Sequence, residues 1–121
     1  MFKSQKKLLA VIVLSLITLI QTTLTGQVHV VTSAADAGLG SFRAAIDSAN
    51  TRQGPDTIAF NLSGAAPFII FAITALPDVI DSFTVIDATT QPGYVFGNVI
   101  FDGISTAGYF DGIEVKQHAK G

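Results

Sequence analysis

The apolar pattern of the first 26 residues differs from that of the rest of the chain. Leu8–Ile20 (LLAVIVLSLITLI) is a nearly unbroken apolar run of 13 residues that follows three lysines. A helix that crosses a membrane needs about 20 apolar residues, so the pattern predicts a cleaved signal peptide at residues 1–26, cut after Gly26. Leu24 is larger than the residue usually found three positions before such a cut. An uncleaved amino-terminal anchor is therefore the alternative.

Residues 27–56 are predicted to contain a strand followed by a short helix. Gln27–Val31 has the composition of a strand, and a turn with two glycines follows it. After this turn, apolar residues recur at i, i+3, i+4 and i+7, as on one face of a helix: Phe42, Ala45, Ile46 and Ala49. The helix is expected over Ser41–Asn50 with Ser41 as its N-cap, and Gly54–Pro55 ends it.

From Thr57 onward the pattern is that of short strands. Ile58, Phe60 and Leu62 alternate with other residues, which predicts a strand with one buried face. Pro67–Thr74 has a continuous apolar core, which predicts a strand covered on both faces. Three further strands are predicted, separated by turns rich in Pro, Gly, Asp and Thr: Phe83–Asp87, Asn98–Asp102 and Gly112–Val115.

Composition and charge argue against several classes of protein. The 121-residue chain contains no cysteine, which excludes disulfide bonds, cysteine-ligated zinc and lipid attachment through cysteine. The formal net charge is −2, and it becomes −5 without residues 1–26 because three lysines are lost. An acidic chain without a basic stripe repels phosphate groups, so nucleic acid is not expected as a partner.

Three segments resemble, in the same order, the sequence patterns of a group of bacterial proteins. Val31–Asn50 resembles VTxxxDxGxGSLRxAIxxAN, Gly54–Phe60 resembles GPDTIxF, and Leu76–Tyr94 resembles LPxIxxxVxIDGTTQPGY. These patterns are typical of the amino-terminal region of secreted or surface proteins with a right-handed parallel β-helix, the pectate-lyase-like fold. Ala88 stands where that group usually has glycine, and Phe42 stands where it usually has leucine.

The resemblance implies an all-β fold: the start of a right-handed parallel β-helix (solenoid) with an N-terminal capping helix, preceded by the signal peptide. Residues 27–56 are then the first strand and the capping helix, and residues 57–121 are the first irregular β-helix turns. Solenoid turns bury their apolar faces against one another, and caps close both ends. The sequence shows a first cap and no closing one, so the chain is expected to be the amino-terminal piece of a larger protein.

The lyases that share this fold need clustered aspartates for calcium and a base that removes a proton. Five aspartates are candidates for the cluster, although aspartate is also a common turn residue: Asp78, Asp81, Asp87, Asp102 and Asp111. The available bases lie in the predicted helix, at its end or in the tail: Arg43, Arg52, Lys116 and Lys120. The turn interpretation is simpler, so the sequence predicts no catalytic, cofactor-binding or metal-binding residues.

Other side chains with chemical potential also have simple structural interpretations. His29 lies in a predicted strand and His118 in the tail, and neither is near a nucleophile motif. Gly38–Gly40 is too short for a phosphate-binding loop and fits the turn into the helix. Tyr94 and Tyr109 lie beside glycine in polar loops, where each is a candidate for stacking on a sugar or for packing within its turn.

Two classes of function follow from these observations. The favoured one is a non-catalytic secreted or cell-surface module, adhesin-like or in contact with polysaccharide or another cell-surface glycan. The alternative is the amino-terminal part of a carbohydrate-active enzyme, a polysaccharide lyase or glycoside hydrolase, whose catalytic residues lie in later turns. A non-functional remnant is a third option. The chain is expected to be exported, to need no cofactor and to meet the membrane through its signal segment alone, with self-association through the open solenoid edge as a further option.

Overall fold

The computed structural model of the chain describes residues 2–19, 25–103 and 113. These residues form helices α1 (Phe2–Leu19) and α2 (Phe42–Asn50), a 3-10 turn (Ala88–Thr90), and strands β1 (Val28–Val31), β2 (Thr57–Phe60), β3 (Phe68–Phe71), β4 (Val85–Asp87) and β5 (Val99–Asp102). Except for Ile113, the strand predicted at Gly112–Val115 lies outside the described residues. Neither helix combines the length and the apolar character that a membrane crossing requires.

The five strands form two separate parallel sheets. In the first sheet the order is β1, β2 and β4, and the second sheet contains β3 and β5. His29, Ile58 and Ile86 lie side by side across the first sheet, and Ile70 lies beside Phe101 in the second. Parallel neighbours need a crossover connection, and α2 lies in the one between β1 and β2.

The predicted fold class is wrong. The resemblance predicts an all-β fold, the start of a right-handed parallel β-helix (solenoid), whereas the described residues form a small α/β arrangement with two short parallel sheets of three and two strands. The two helices together contain more residues than the five strands, and no solenoid is present in the described ranges. The apolar segments do form strands, but local patterns carry no information about which strands pair over long sequence distances.

Helix α2 follows the sequence pattern closely. Ser41 is the N-cap, and its Oγ accepts a hydrogen bond from the Ala44 backbone N–H at 3.2 Å. This bond satisfies one of the N–H groups that have no partner inside the helix. All four residues of the predicted apolar face are buried: Phe42, Ala45, Ile46 and Ala49. Through this face α2 packs against β1 and β2.

Three phenylalanine rings connect α2 with both sheets. The ring centroid of Phe42 lies 6.0 Å from that of Phe60 in β2 and 4.7 Å from that of Phe101 in β5. The centroids of Phe60 and Phe101 are 6.1 Å apart, with an angle of 74° between the rings. Aromatic pairs at such distances contribute about 0.5–1.5 kcal/mol each beyond the burial of their area. The core therefore runs continuously from the helix to the second sheet.

Strand β3 is buried on one face and more exposed on the other. Phe68 and Ile70 are buried, whereas Phe71 is 47% exposed. The prediction that this apolar segment is covered on both faces is therefore wrong. Its continuous apolar run places apolar side chains on the solvent side of the sheet as well.

Candidate functional site

A groove of about 630 Å³ lies between the end of α2 and the turn that leads towards β4. Its lining residues are Asn50, residues 52–55 and residues 80–83. Sites for small molecules usually have volumes of about 300–1,000 Å³. The groove is therefore large enough for one or two sugar rings.

Asn50, the last residue of α2, holds the two walls of this groove together. Its Nδ2 donates to the carbonyl oxygen of Asp78 at 2.7 Å, and its Oδ1 accepts from the backbone N–H of Ile80 at 3.0 Å. The side-chain amide therefore binds segment 78–80 by a donor and an acceptor at once. These two bonds fix segment 78–80 against the end of α2.

The side chains that face this groove combine an apolar ring with polar groups. Phe83 is 67% exposed and Ile80 is 40% exposed. Arg52 and Gln53 are exposed on the opposite wall. Within the part of the chain that the structure describes, no carboxylate lies within ion-pair distance of the Arg52 guanidinium. Its N–H donors are therefore not used in an ion pair with the described residues and can bind a ligand.

Asp81 is the carboxylate of this groove, and its own turn already uses one of its oxygens. Its Oδ2 accepts from the Thr84 hydroxyl at 3.0 Å and from the Phe83 backbone N–H at 3.4 Å. These contacts fix the turn that carries the Phe83 ring. Sequence reasoning assigned Phe83 to the start of a strand, but β4 begins two residues later, at Val85. The polar pair Asp81-Ser82 before the phenylalanine was the signal for a turn.

A second cavity, of about 300 Å³, lies beside β3 and is less suited to a polar ligand. It is lined by apolar side chains together with the hydroxyl residues Thr32 and Ser63. Among the described residues, no ionisable side chain lines it. Specific sites usually place a few converging polar groups within an apolar pocket, and the groove at Phe83 meets this description better.

Two of the candidate calcium-binding aspartates, Asp81 and Asp87, have separate structural roles. Asp81 fixes its own turn, and Asp87 caps the 3-10 turn by accepting from the Thr89 backbone N–H at 3.0 Å and from the Thr89 hydroxyl at 2.6 Å. In the described ranges, no group of three or more acidic or histidine side chains is arranged to hold a metal ion. Several other candidates lie outside these ranges: Tyr109, Asp111, Lys116, His118 and Lys120.

Arg43 lies away from the groove and joins α2 to segment 73–75. Its Nη2 donates to Asp36 Oδ1 at 3.0 Å, to the Thr74 carbonyl oxygen at 2.8 Å and to Thr74 Oγ1 at 2.6 Å, and Nη1 donates to the carbonyl oxygen of Ala75. Nη2 has two hydrogens for three acceptors, so at least one of these bonds is shared. These bonds make Arg43 a structural link between α2 and segment 73–75.

Asp36 is the acceptor at the centre of this cluster. Its Oδ2 accepts from the Thr74 hydroxyl at 2.7 Å, and its Oδ1 accepts from the backbone N–H groups of Ile73 and Thr74 at 2.8 and 3.1 Å. The Thr74 hydroxyl is the main reason why the pKa of Asp36 falls from 3.8 to about 2, with the Thr74 N–H and Arg43 adding to it and desolvation opposing it. The cluster is therefore structural.

Two further candidates, Tyr94 and His29, also lie outside the groove. Tyr94 is half-buried, and its backbone N–H donates to the carbonyl oxygen of Gln91 at 2.9 Å. His29 Nε2 lies 3.2 Å from Oδ2 of Asp56, a carboxylate with 1% exposure. Neither residue is among those that line the groove.

Comparison of the chain with protein-family models, with curated proteins and with solved structures gives no match. The resemblance to secreted β-helix proteins therefore stays a prediction from the sequence. The groove at Phe83 is the feature of the described residues that is best suited to binding a ligand.

Proposed function

We propose that this protein is an exported, non-catalytic module, secreted or held at the cell surface, that binds polysaccharide through the groove at Phe83. The observation that carries the proposal is the largely exposed Phe83 ring in a groove that also contains Arg52, Gln53 and Asp81. Export is proposed from the signal-peptide pattern of residues 1–26.

The chemistry of the groove fits a sugar ring. One face of a pyranose ring consists of C–H groups that pack on an aromatic ring, whereas its edge carries hydroxyl groups. Phe83 offers the apolar surface, and Arg52 and Gln53 offer hydrogen-bond donors on the opposite wall. Ser82 and the free lone pairs of Asp81 accept from sugar hydroxyls. A polysaccharide presents several sugar rings in succession, so several weak contacts together give a higher overall affinity.

The same groove supports a binding role better than a catalytic one. Glycoside hydrolysis normally uses two carboxyl groups on either side of the scissile bond. Among the described residues that line the groove, Asp81 is the single carboxylate, and its Oδ2 is held by Thr84 and Phe83. An adhesin-like contact needs no second carboxylate.

The experiment is a binding assay on a panel of neutral and acidic polysaccharides, using the full chain. Retardation in affinity gels is expected with at least one polymer, without release of sugar products. Arg52→Ala should weaken this binding because it removes donors from the groove. Asp47→Ala, an exposed position on α2 outside the groove, should not. Failure to bind any member of the panel, or equal behaviour of the two variants, contradicts the proposal.

A further inference from the structure

Asp56 is a carboxylate buried where the first sheet begins. Its side chain is 1% exposed. Its Oδ1 accepts from the Gln27 backbone N–H at 2.9 Å, and its Oδ2 lies 3.2 Å from His29 Nε2. A buried carboxylate is costly unless hydrogen bonds or a cation compensate for the lost water. In the described part of the chain, the Asp56 carboxylate has hydrogen-bond contacts with Gln27 and His29. Both lie within the first three residues after the predicted signal peptide.

Gln27 is also where the hydrogen bonding of the first sheet begins. The carbonyl oxygen of Gln27 accepts from the Thr57 backbone N–H at 2.8 Å, next to the bond from its own N–H to Asp56. Gly26 precedes it and packs against Pro55, where an added Cβ would lie 2.2 Å from the Pro55 carbonyl oxygen. Cleavage after Gly26 therefore removes a residue without a side chain and leaves both bonds of Gln27 in place.

We infer that Asp56 is the binding site for the α-ammonium group that signal-peptide removal creates at Gln27. Hydrolysis adds the oxygen of water to the carbonyl carbon of Gly26, breaks the bond to the Gln27 nitrogen and leaves an amine there. At neutral pH this amine takes up a proton. The bond from the amide to the carboxylate at 2.9 Å, in which only the acceptor is charged, becomes an ammonium–carboxylate ion pair in which both partners are charged.

Processing then stabilises the first strand instead of leaving a loose chain end. The inference rests on the predicted cleavage after Gly26 and is independent of polysaccharide binding. It also protects Gln27 chemically. A free amine at an N-terminal glutamine attacks its own side-chain Cδ, forms a lactam ring and expels ammonia. An ammonium ion held by Asp56 has no lone pair for this attack, so Gln27 stays linear.

The test uses the product that cells export from the full-length chain. Mass spectrometry of the intact product and of its first peptide identifies the first residue and shows whether Gln27 is linear. The α-amine is then acetylated with a limiting amount of an amine-reactive reagent. The rate of this reaction is measured in the native product, in the same product in urea, and in Asp56→Asn. Asp47→Asn, an exposed carboxylate of α2, is the matched control.

The expected product begins with linear Gln27, and its native α-amine reacts about tenfold more slowly than in urea, as a 1.4 kcal/mol interaction gives. Asp56→Asn should react faster than the native wild type, and Asp47→Asn at the same rate as the wild type. If Asp56→Asn does not fold, the native and urea rates of the wild-type product test the inference by themselves. A product that begins elsewhere, a cyclised Gln27, or equal native and urea rates would overturn the inference.

Discussion

The side-chain amide of Gln91 pairs with the backbone of Leu62 as a neighbouring strand would. Leu62 N–H donates to Gln91 Oε1 at 2.7 Å, and Gln91 Nε2 donates to the Leu62 carbonyl oxygen at 2.9 Å. Two residues earlier, the Phe60 N–H donates to Thr90 Oγ1 at 2.7 Å. The backbone ladder between β2 and β4 ends at Ala59 and Asp87. The side chains of Thr90 and Gln91 therefore extend the hydrogen bonding beyond the last strand residue.

Replacing Gln91 by alanine should lower the free energy of unfolding by about 2–4 kcal/mol, because a buried N–H and a buried C=O lose their partners together. Gln91 is 2% exposed, so water does not replace the amide without a rearrangement. Urea unfolding of the full chain measures the change. Gln53→Ala, at an exposed position, is the control and should change stability by less than about 0.5 kcal/mol. Equal effects of the two substitutions would show that the Gln91 pairing contributes nothing.

The Asp36 cluster predicts a specific acid sensitivity. Because the folded-state pKa of Asp36 lies near 2, below its ordinary 3.8, the carboxylate stabilises the fold fully above about pH 4. This contribution is lost as the pH falls from about 4 towards 2. Asp36→Asn should lower stability by about 1–2 kcal/mol at pH 6, and its Tm should approach that of the wild type near pH 2.

A companion substitution identifies the cause of the pKa shift. Thr74→Val removes the hydroxyl that lowers the pKa of Asp36 most. The acid-induced loss of Tm should therefore begin at the same pH as in the wild type, which the unfolded-state pKa sets, but it should be smaller and end at a higher pH. NMR titration of the Asp36 carboxyl carbon reads the same change directly. An unchanged titration curve in Thr74→Val would assign the shift to the Thr74 backbone N–H and Arg43 instead.

Two glycines in the turn before α2 form a matched pair for a steric prediction. Both have positive φ, 100° at Gly38 and 75° at Gly40, and a Cβ at Gly40 would lie 2.3 Å from Thr32 Oγ1 while one at Gly38 meets nothing within 4 Å. Gly38→Ala should destabilise by about 1 kcal/mol through backbone strain alone. Gly40→Ala should cost about 2–3 kcal/mol, since Thr32 must also move. Thermal unfolding measures the destabilisation by each substitution. Equal destabilisation by Gly38→Ala and Gly40→Ala would contradict the predicted clash with Thr32.

Local patterns in the sequence predict α2 well and the architecture poorly. The spacing of Phe42, Ala45, Ile46 and Ala49 reports one helical face, and an adjacent Ser41 reports the cap. These signals act within a few residues. The pairing of β2 with β4, and the Phe42–Phe101 ring contact, join residues that are far apart in the chain. No periodicity indicates such contacts. The all-β prediction follows from the resemblance of three local segments, which does not indicate them either, and it is wrong.

Local patterns do not predict the groove either, for the same reason. Asn50 reaches Asp78 and Ile80 across about thirty residues of chain, and this contact creates the space beside Phe83. In the sequence, Phe83 has the appearance of a strand residue, while Tyr94 has the appearance of a sugar-stacking residue. The exposure of Phe83 follows from the Asp81 turn, a geometry that composition alone does not predict.

The most direct test of polysaccharide binding through the groove compares two exposed phenylalanines. Phe83 lies in the groove and is 67% exposed, whereas Phe96 lies outside it and is 94% exposed. The dissociation constant of the full chain for the bound polysaccharide is measured by titration for wild type, Phe83→Ala and Phe96→Ala. Phe83→Ala should raise Kd about tenfold or more, because the ring packs on the sugar, and Phe96→Ala should leave Kd unchanged. An unchanged Kd in Phe83→Ala, or an equal rise in both variants, would contradict binding through this groove.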